Sequence, residues 1–122
     1  MTIEYIDPME CWSEAVIYNG IVYYTSVPIN LVDDAYIQTQ SALTEIDKML
    51  VRVGSDKNLI LDATIFIVDK ADLPAMNQAW KEWVVKGRAP VRCTVQSNLM
   101  HDDYKVEIKI IAGLKNNMSK QI

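Results

Sequence analysis

Two stretches near the end of the chain bring together residue types that could do chemistry. Pro90 to Gln96 and Tyr104 to Ala112 each alternate apolar with polar residues, the two-residue period of a strand with one buried face. Val91, Cys93 and Val95 occupy one set of positions, as do Val106, Ile108 and Ile110, which leaves Arg92, Thr94, Glu107 and Lys109 to share the opposite face. Joining the stretches as neighbours through Ser97 to Asp102 pairs Gln96 with Asp103 and Arg92 with Glu107, because a slip of one residue would set apolar positions against polar ones. On the residues alone the arrangement reads two ways. It is a solvated cross-strand ion pair worth under about 1 kcal/mol, or a polar sheet face covered by another subunit.

The other reactive residue types stand apart. His101 is the only histidine and lies in a loop beside Asp102 and Asp103, and neither Cys-x-x-Cys nor His-x-x-x-His spacing occurs. No metal site is expected from that spacing. Cys11 has no histidine nearby, and Cys93, within an apolar alternation, reads as a buried structural thiol. Asp33 and Asp34 suit a helix cap better than a metal pair.

The elements that must position these residues follow from periodicity. Glu14 to Tyr18 and Ile21 to Val27 flank Asn19-Gly20, a pair that tolerates the positive φ angles of a two-residue turn, and so form a hairpin. Behind the Asp33-Asp34 cap, Ala35, Ala42, Leu43, Ile46, Met49, Leu50 and Val53 recur at helical steps until Gly54 stops them. Asp62 to Val68 is β-branched and apolar, a central strand. Leu73, Met76, Ala79, Trp80, Trp83 and Val84 make a second helical stripe with Pro74 in its first turn, ending at Gly87; Trp80 and Trp83 read as packing residues. The order β-β-α-β-α-β-β is an α+β sandwich, a mixed sheet with two helices on one face.

Composition bounds the rest. The 122 residues, 50% hydrophobic and 23% charged, with four prolines and four glycines, fit one domain over 1–122, its core about 10–113 and a frayed tail at 114–122. Lys plus Arg is 12 against 16 Asp plus Glu, a formal charge of -4, with no basic cluster, so nucleic acid is disfavoured as a partner. The apolar runs are too short for a membrane span and no leader is evident, which leads to the expectation of a cytoplasmic protein with no membrane partner.

A resemblance sharpens these readings. Pro90-Val91-Arg92-Cys93-Thr94-Val95, followed about a dozen residues later by Lys105-Val106-Glu107-Ile108, resembles the signature of the RidA (YjgF) family of reactive-intermediate deaminases. Trp12-Ser13-Glu14-Ala15-Val16 is similar to the family's Tyr-Ser-Gln-Ala-Val, Tyr24-Thr25-Ser26-Val27-Pro28 to its Val-Ser-Gly-Gln-Ile-Pro strand, and Met76-Asn77-Gln78-Ala79-Trp80 to its Val-Asn-x-x-Tyr. The likeness covers about residues 10–113 and is nearest to the YoaB-like branch.

That resemblance implies a homotrimer of chorismate-mutase-like subunits, sheets forming an inner barrel and clefts lying at the subunit boundaries. It implies cofactor-free hydrolysis of 2-imino or 2-enamino acids, of the 2-iminobutanoate and 2-iminopropanoate type, to 2-keto acids and ammonia. Arg92 stands at the family arginine that grips the substrate carboxylate, a task suited to a planar fork. Glu107 stands at the glutamate that holds or activates water. Trp12, Thr25, Ser26 and Asn77 stand at substrate-binding positions, and the backbone of Cys93 and Thr94 faces the ligand. Three positions depart from the family: Trp12 replaces a tyrosine, Ser26 a glycine and Thr94 a common cysteine. The alternative is a non-catalytic trimer that binds small carboxylates or acts as a chaperone or regulator in the same pocket. RNA cleavage, associated with relatives, ranks last on charge.

Overall fold

The structure, a computed structural model, describes residues 2–115. Its strands are β1 (Glu4–Pro8), β2 (Ser13–Tyr18), β3 (Ile21–Ser26), β4 (Ile60–Ile67), β5 (Val91–Gln96) and β6 (Val106–Gly113), and its helices are α1 (Ala35–Val53) and α2 (Leu73–Trp83). One sheet holds all six strands in the order β1-β2-β3-β6-β4-β5. Every neighbouring pair is antiparallel except β4 with β5.

Local chemistry fixes most of these boundaries. Asn19 and Gly20 take φ of 54° and 76° at the β2–β3 turn, the backbone that an Asn-Gly hairpin supplies at least cost. Asp34 caps α1 by accepting from the Ile37 N–H, and Gly54 ends it in the left-handed region at φ 82° with its own N–H turned back to the last carbonyls. The α1 stripe of Ala42, Leu43, Ile46, Met49 and Leu50 packs on Val22, Ala63, Ile65, Ile108 and Ile110 from the sheet, so the core lies between one sheet face and the helices. Helix α2 stops at Trp83 rather than at Gly87, because Val84 leaves the helix with ψ 144°, and the β-branched Val84-Val85 pair favours extended backbone. Leu114 and Lys115 donate to the carbonyls of Gly20 and Gly54, so the chain is still anchored there; the rest of the expected tail, from residue 116, lies outside the described residues.

Two findings depart from the sequence reading. Strand β1, not foreseen, adds an edge against β2. More consequential, β5 and β6 are not neighbours: β4 lies between them, parallel to β5 and antiparallel to β6. The unit β4-α2-β5 is a crossover that returns the chain to the same sheet in the same direction. Register on β4 therefore decides which way β5 faces. Ala63 opposes both Arg92 and Ile110, and Ile65 opposes both Thr94 and Ile108, so Arg92 and Thr94 point to the helix side. Val91, Cys93 and Val95 point to the open side, and Cys93 is an exposed thiol rather than a buried one. Strand β6 behaves as its pattern suggests, with Val106, Ile108 and Ile110 buried.

Candidate functional site

All but one of the site residues singled out by the sequence fall into two groups on opposite faces of the sheet. The first lies on the helix side of the β5 edge. Arg92 is half-buried and its Cζ sits 5.7 Å from the centroid of the Trp80 ring. Among the described residues it forms no ion pair, and burial alone pulls its guanidinium below its ordinary pKa. Because α2 crosses between parallel strands, it runs against β5. One step along β5 from Arg92 to Thr94 thus corresponds to one turn back along α2 from Trp80 to Asn77. Asn77 Oδ1 and Thr94 Oγ1 are buried and have no hydrogen-bond partner. Buried polar atoms are normally satisfied, so the strand that carries Arg92 and the helix that carries Trp80 each hold a polar atom that lacks its partner.

The second group lies on the open face. Strand register aligns Thr25, Lys109, Thr64 and Cys93 across the sheet, and the next row holds Glu107, Phe66 and Val95. A depression of about 460 Å³ on this face is lined by Trp12, Glu14, Tyr23, Thr25, Val27 and Lys109, among others. Glu107 sits two residues before Lys109 on the same strand and the same face. Trp12 is 63% exposed, and this face also leaves Tyr5, Tyr23 and Val91 open, an apolar surface of the kind that marks an interaction site.

Ser26 belongs to neither group. It is fully buried, and its hydroxyl donates to the Ala42 carbonyl of α1 at 2.7 Å, so its side chain faces the core. The expected pairing of Arg92 with Glu107 does not form. Two strand spacings separate β5 from β6, and the side chains leave opposite faces. Sequence reading also passed over Lys109 and Tyr23 as lining residues and Trp80 as the neighbour of Arg92. Alternation already placed Lys109 with Glu107; for Trp80 the only signal was its helical stripe.

A different depression of about 440 Å³, near the start of both helices, gathers Asp33, Asp69, Asp72, Asp102 and Asp103 around Lys105. Lys105 pairs with Asp33 at 2.8 Å and Asp72 at 3.8 Å. Gln38, fully buried, donates to the carbonyls of Val32 and Asp103 and accepts from the Lys105 N–H. These contacts clamp the β5–β6 connection onto α1. No group of three or more His, Cys, Asp or Glu residues able to hold a metal occurs among the described residues, and none of their helices is long and apolar enough to cross a membrane.

The endoribonuclease L-PSP family model matches residues 2–114, which spans both groups of residues. The chain belongs to this family, the RidA (YjgF) group. Among RidA relatives, it is similar to the RutC family protein YoaB of Escherichia coli, 57% identical over 114 residues, 93% of this chain and 100% of YoaB. It is also similar to the 3-aminoacrylate deaminase RutC of Acinetobacter baylyi, 36% identical over 81 residues, 66% of this chain and 64% of that protein. A crystal structure of a YjgF family member from Neisseria meningitidis superposes with a TM-score of 0.90 at 40% identity, covering 94% of this chain and 97% of the other. The RidA fold, two helices on a six-stranded mixed sheet, is thus the fold of this chain.

Proposed function

We propose that this RidA family chain is a homotrimeric deaminase that hydrolyses 2-imino and 2-enamino acids to 2-keto acids and ammonia, in clefts built from two copies. The observation that carries the reading is Arg92: a half-buried guanidinium without an acidic partner among the described residues, on a strand and beside a helix that each carry a buried polar atom without a partner, Thr94 Oγ1 and Asn77 Oδ1. A substrate carboxylate supplies the missing partner through two parallel charge-assisted hydrogen bonds. The open face of a second copy supplies Glu107, Trp12 and Thr25. Exposed apolar residues on that face and the unpaired edge of β5 support burial between copies.

In this reading the imine carbon lies between the halves. Water held by Glu107 adds its oxygen to that carbon while the carboxylate takes the proton. That proton passes to nitrogen to give the carbinolamine; Glu107 then relays the hydroxyl proton to nitrogen, and as the C=O bond forms the C–N bond breaks and ammonia leaves. Backbone dipoles at Cys93 and Thr94 are fixed before the substrate arrives, so they need no reorganisation as charge shifts. The formal charge of -4 works against a polyanionic substrate such as RNA but not against a small anion that meets one local cation.

The test generates 2-iminobutanoate in situ from an amino acid and follows its loss with wild type and with Arg92→Ala. Wild type is expected to exceed the solvent rate, and Arg92→Ala to lose roughly 100-fold or more in kcat/KM, as for removal of one partner of a buried charged pair. A wild type no faster than solvent with several imino acids refutes the enzyme. If such a protein still binds 2-ketobutanoate in an Arg92-dependent way, the non-catalytic carboxylate-binding trimer takes its place.

A further inference from the structure

We propose that Trp80 is a positioning residue for Arg92, its indole face holding the guanidinium where a ligand carboxylate meets it. This rests on the reading of Arg92 as the carboxylate anchor. A long arginine side chain without an ion pair is ordinarily mobile, and ordering it on binding costs affinity. Here the cation lies over a ring that is itself immobile. Trp80 is only 7% exposed and packs against Trp83 with centroids 5.5 Å apart. Trp83 in turn donates its indole N–H to Asp47 on α1 at 2.9 Å, and Lys57 lies 5.4 Å from its ring centroid. A chain of fixed contacts therefore runs from α1 to the guanidinium.

The choice of a ring over an acid has a chemical consequence. An aspartate at this place would occupy the fork and compete with the incoming carboxylate. An aromatic face attracts the cation through its quadrupole while the N–H donors, which lie in the guanidinium plane, stay available. The side chain is thereby held in place without being consumed as a donor.

The experiment compares Trp80→Leu and Trp80→Phe with wild type and Arg92→Ala, reading KM and kcat for imine hydrolysis, Kd for 2-ketobutanoate by calorimetry, and the thermal midpoint. Leu removes the π face and is expected to raise KM and Kd by between about 2- and 30-fold with a smaller change in kcat, while Phe recovers most of the loss. In the Arg92→Ala background Trp80→Leu is expected to add nothing. Because Leu also removes volume from a core position, tetrafluorotryptophan placed at position 80 gives a second probe: it keeps the shape and withdraws the ring's negative potential, and it is expected to weaken binding with the thermal midpoint unchanged. Fluorination without effect on Kd, while Arg92→Ala weakens binding, overturns the role of Trp80 and leaves the anchor standing. Binding unchanged by Arg92→Ala overturns the anchor itself.

Discussion

Mixing two inactive variants tests whether the site is shared between copies. Arg92 stands in the core-facing row with Ala63 and Ile110, whereas Glu107 stands in the open-face row with Phe66. The strands that bear them are two spacings apart, roughly 10 Å in the plane of the sheet, and the side chains leave opposite faces. A 2-imino acid only a few bonds long cannot touch both within one copy. Arg92→Ala and Glu107→Gln, each expected to be nearly inactive alone, are therefore denatured together in equal amounts, refolded and assayed for loss of 2-iminobutanoate. With random assembly, about one boundary in four joins an intact Arg92 to an intact Glu107, so the mixture is expected to regain about a quarter of wild-type activity. Light scattering on each sample checks that assembly is intact, the expected mass being about three times the 13.9 kDa of one chain. A correctly assembled mixture that stays at the background of the separate variants refutes a site split across copies.

Three further outcomes follow from the contacts. Gln38→Leu strands the Lys105 N–H and two carbonyls that Gln38 now satisfies and is expected to cost about 2–4 kcal/mol in urea unfolding, with faster hydrogen exchange over residues 97–105. A cost under about 0.5 kcal/mol would show that water replaces the clamp. Ser26→Ala removes the buried hydrogen bond to Ala42 together with the hydroxyl's hydrogen bond with the Tyr24 side chain and should cost about 1–3 kcal/mol with KM unchanged; a raised KM would return the Ser26 side chain to the ligand. Arg52 grips Asp7 through two bonds, at 2.5 and 2.8 Å, and holds that carboxyl below its ordinary 3.8. The pair's contribution is thus complete above 3.8 and fades as pH falls through the lowered value. The small difference in urea midpoint between wild type and Arg52→Ala should accordingly close in acid; a gap that widens there contradicts the assignment.

What the sequence made legible was local. The Asp34 cap, the Gly54 stop and the Asn19-Gly20 turn are written in single residues with strong backbone preferences, and the structure places each at its expected position. Strand β1 escaped because it is five residues long, ends in Pro8 and offers almost no alternation above the noise of a terminus. The orientation of β5 was lost for another reason. Alternation says which residues of a strand share a face but not which face it is, and that depends on the neighbour. Taking β5 and β6 as a hairpin placed Val91, Cys93 and Val95 in the core. The βαβ order of β4, α2 and β5 held the opposite answer, since strands joined through a helix lie parallel and adjacent far more readily than they leave a gap for a later strand. That Arg92 and Glu107 leave opposite faces of the sheet was not legible, because it follows from that one choice of neighbour.

The single parallel pairing also sets how firmly each strand is held. The β2–β3 hairpin closes over two residues and can form by itself within microseconds. Strand β5 has no such shortcut: α2 separates it from β4 along the chain, and it gains hydrogen bonds on one side alone. The strand that carries Arg92 is thus held by one neighbour, whereas β6, which carries Glu107, is paired on both sides, with β3 and with β4. An edge paired on one side opens more readily than a strand paired on both, so amide exchange is expected to be faster over residues 91–96 than over 106–113.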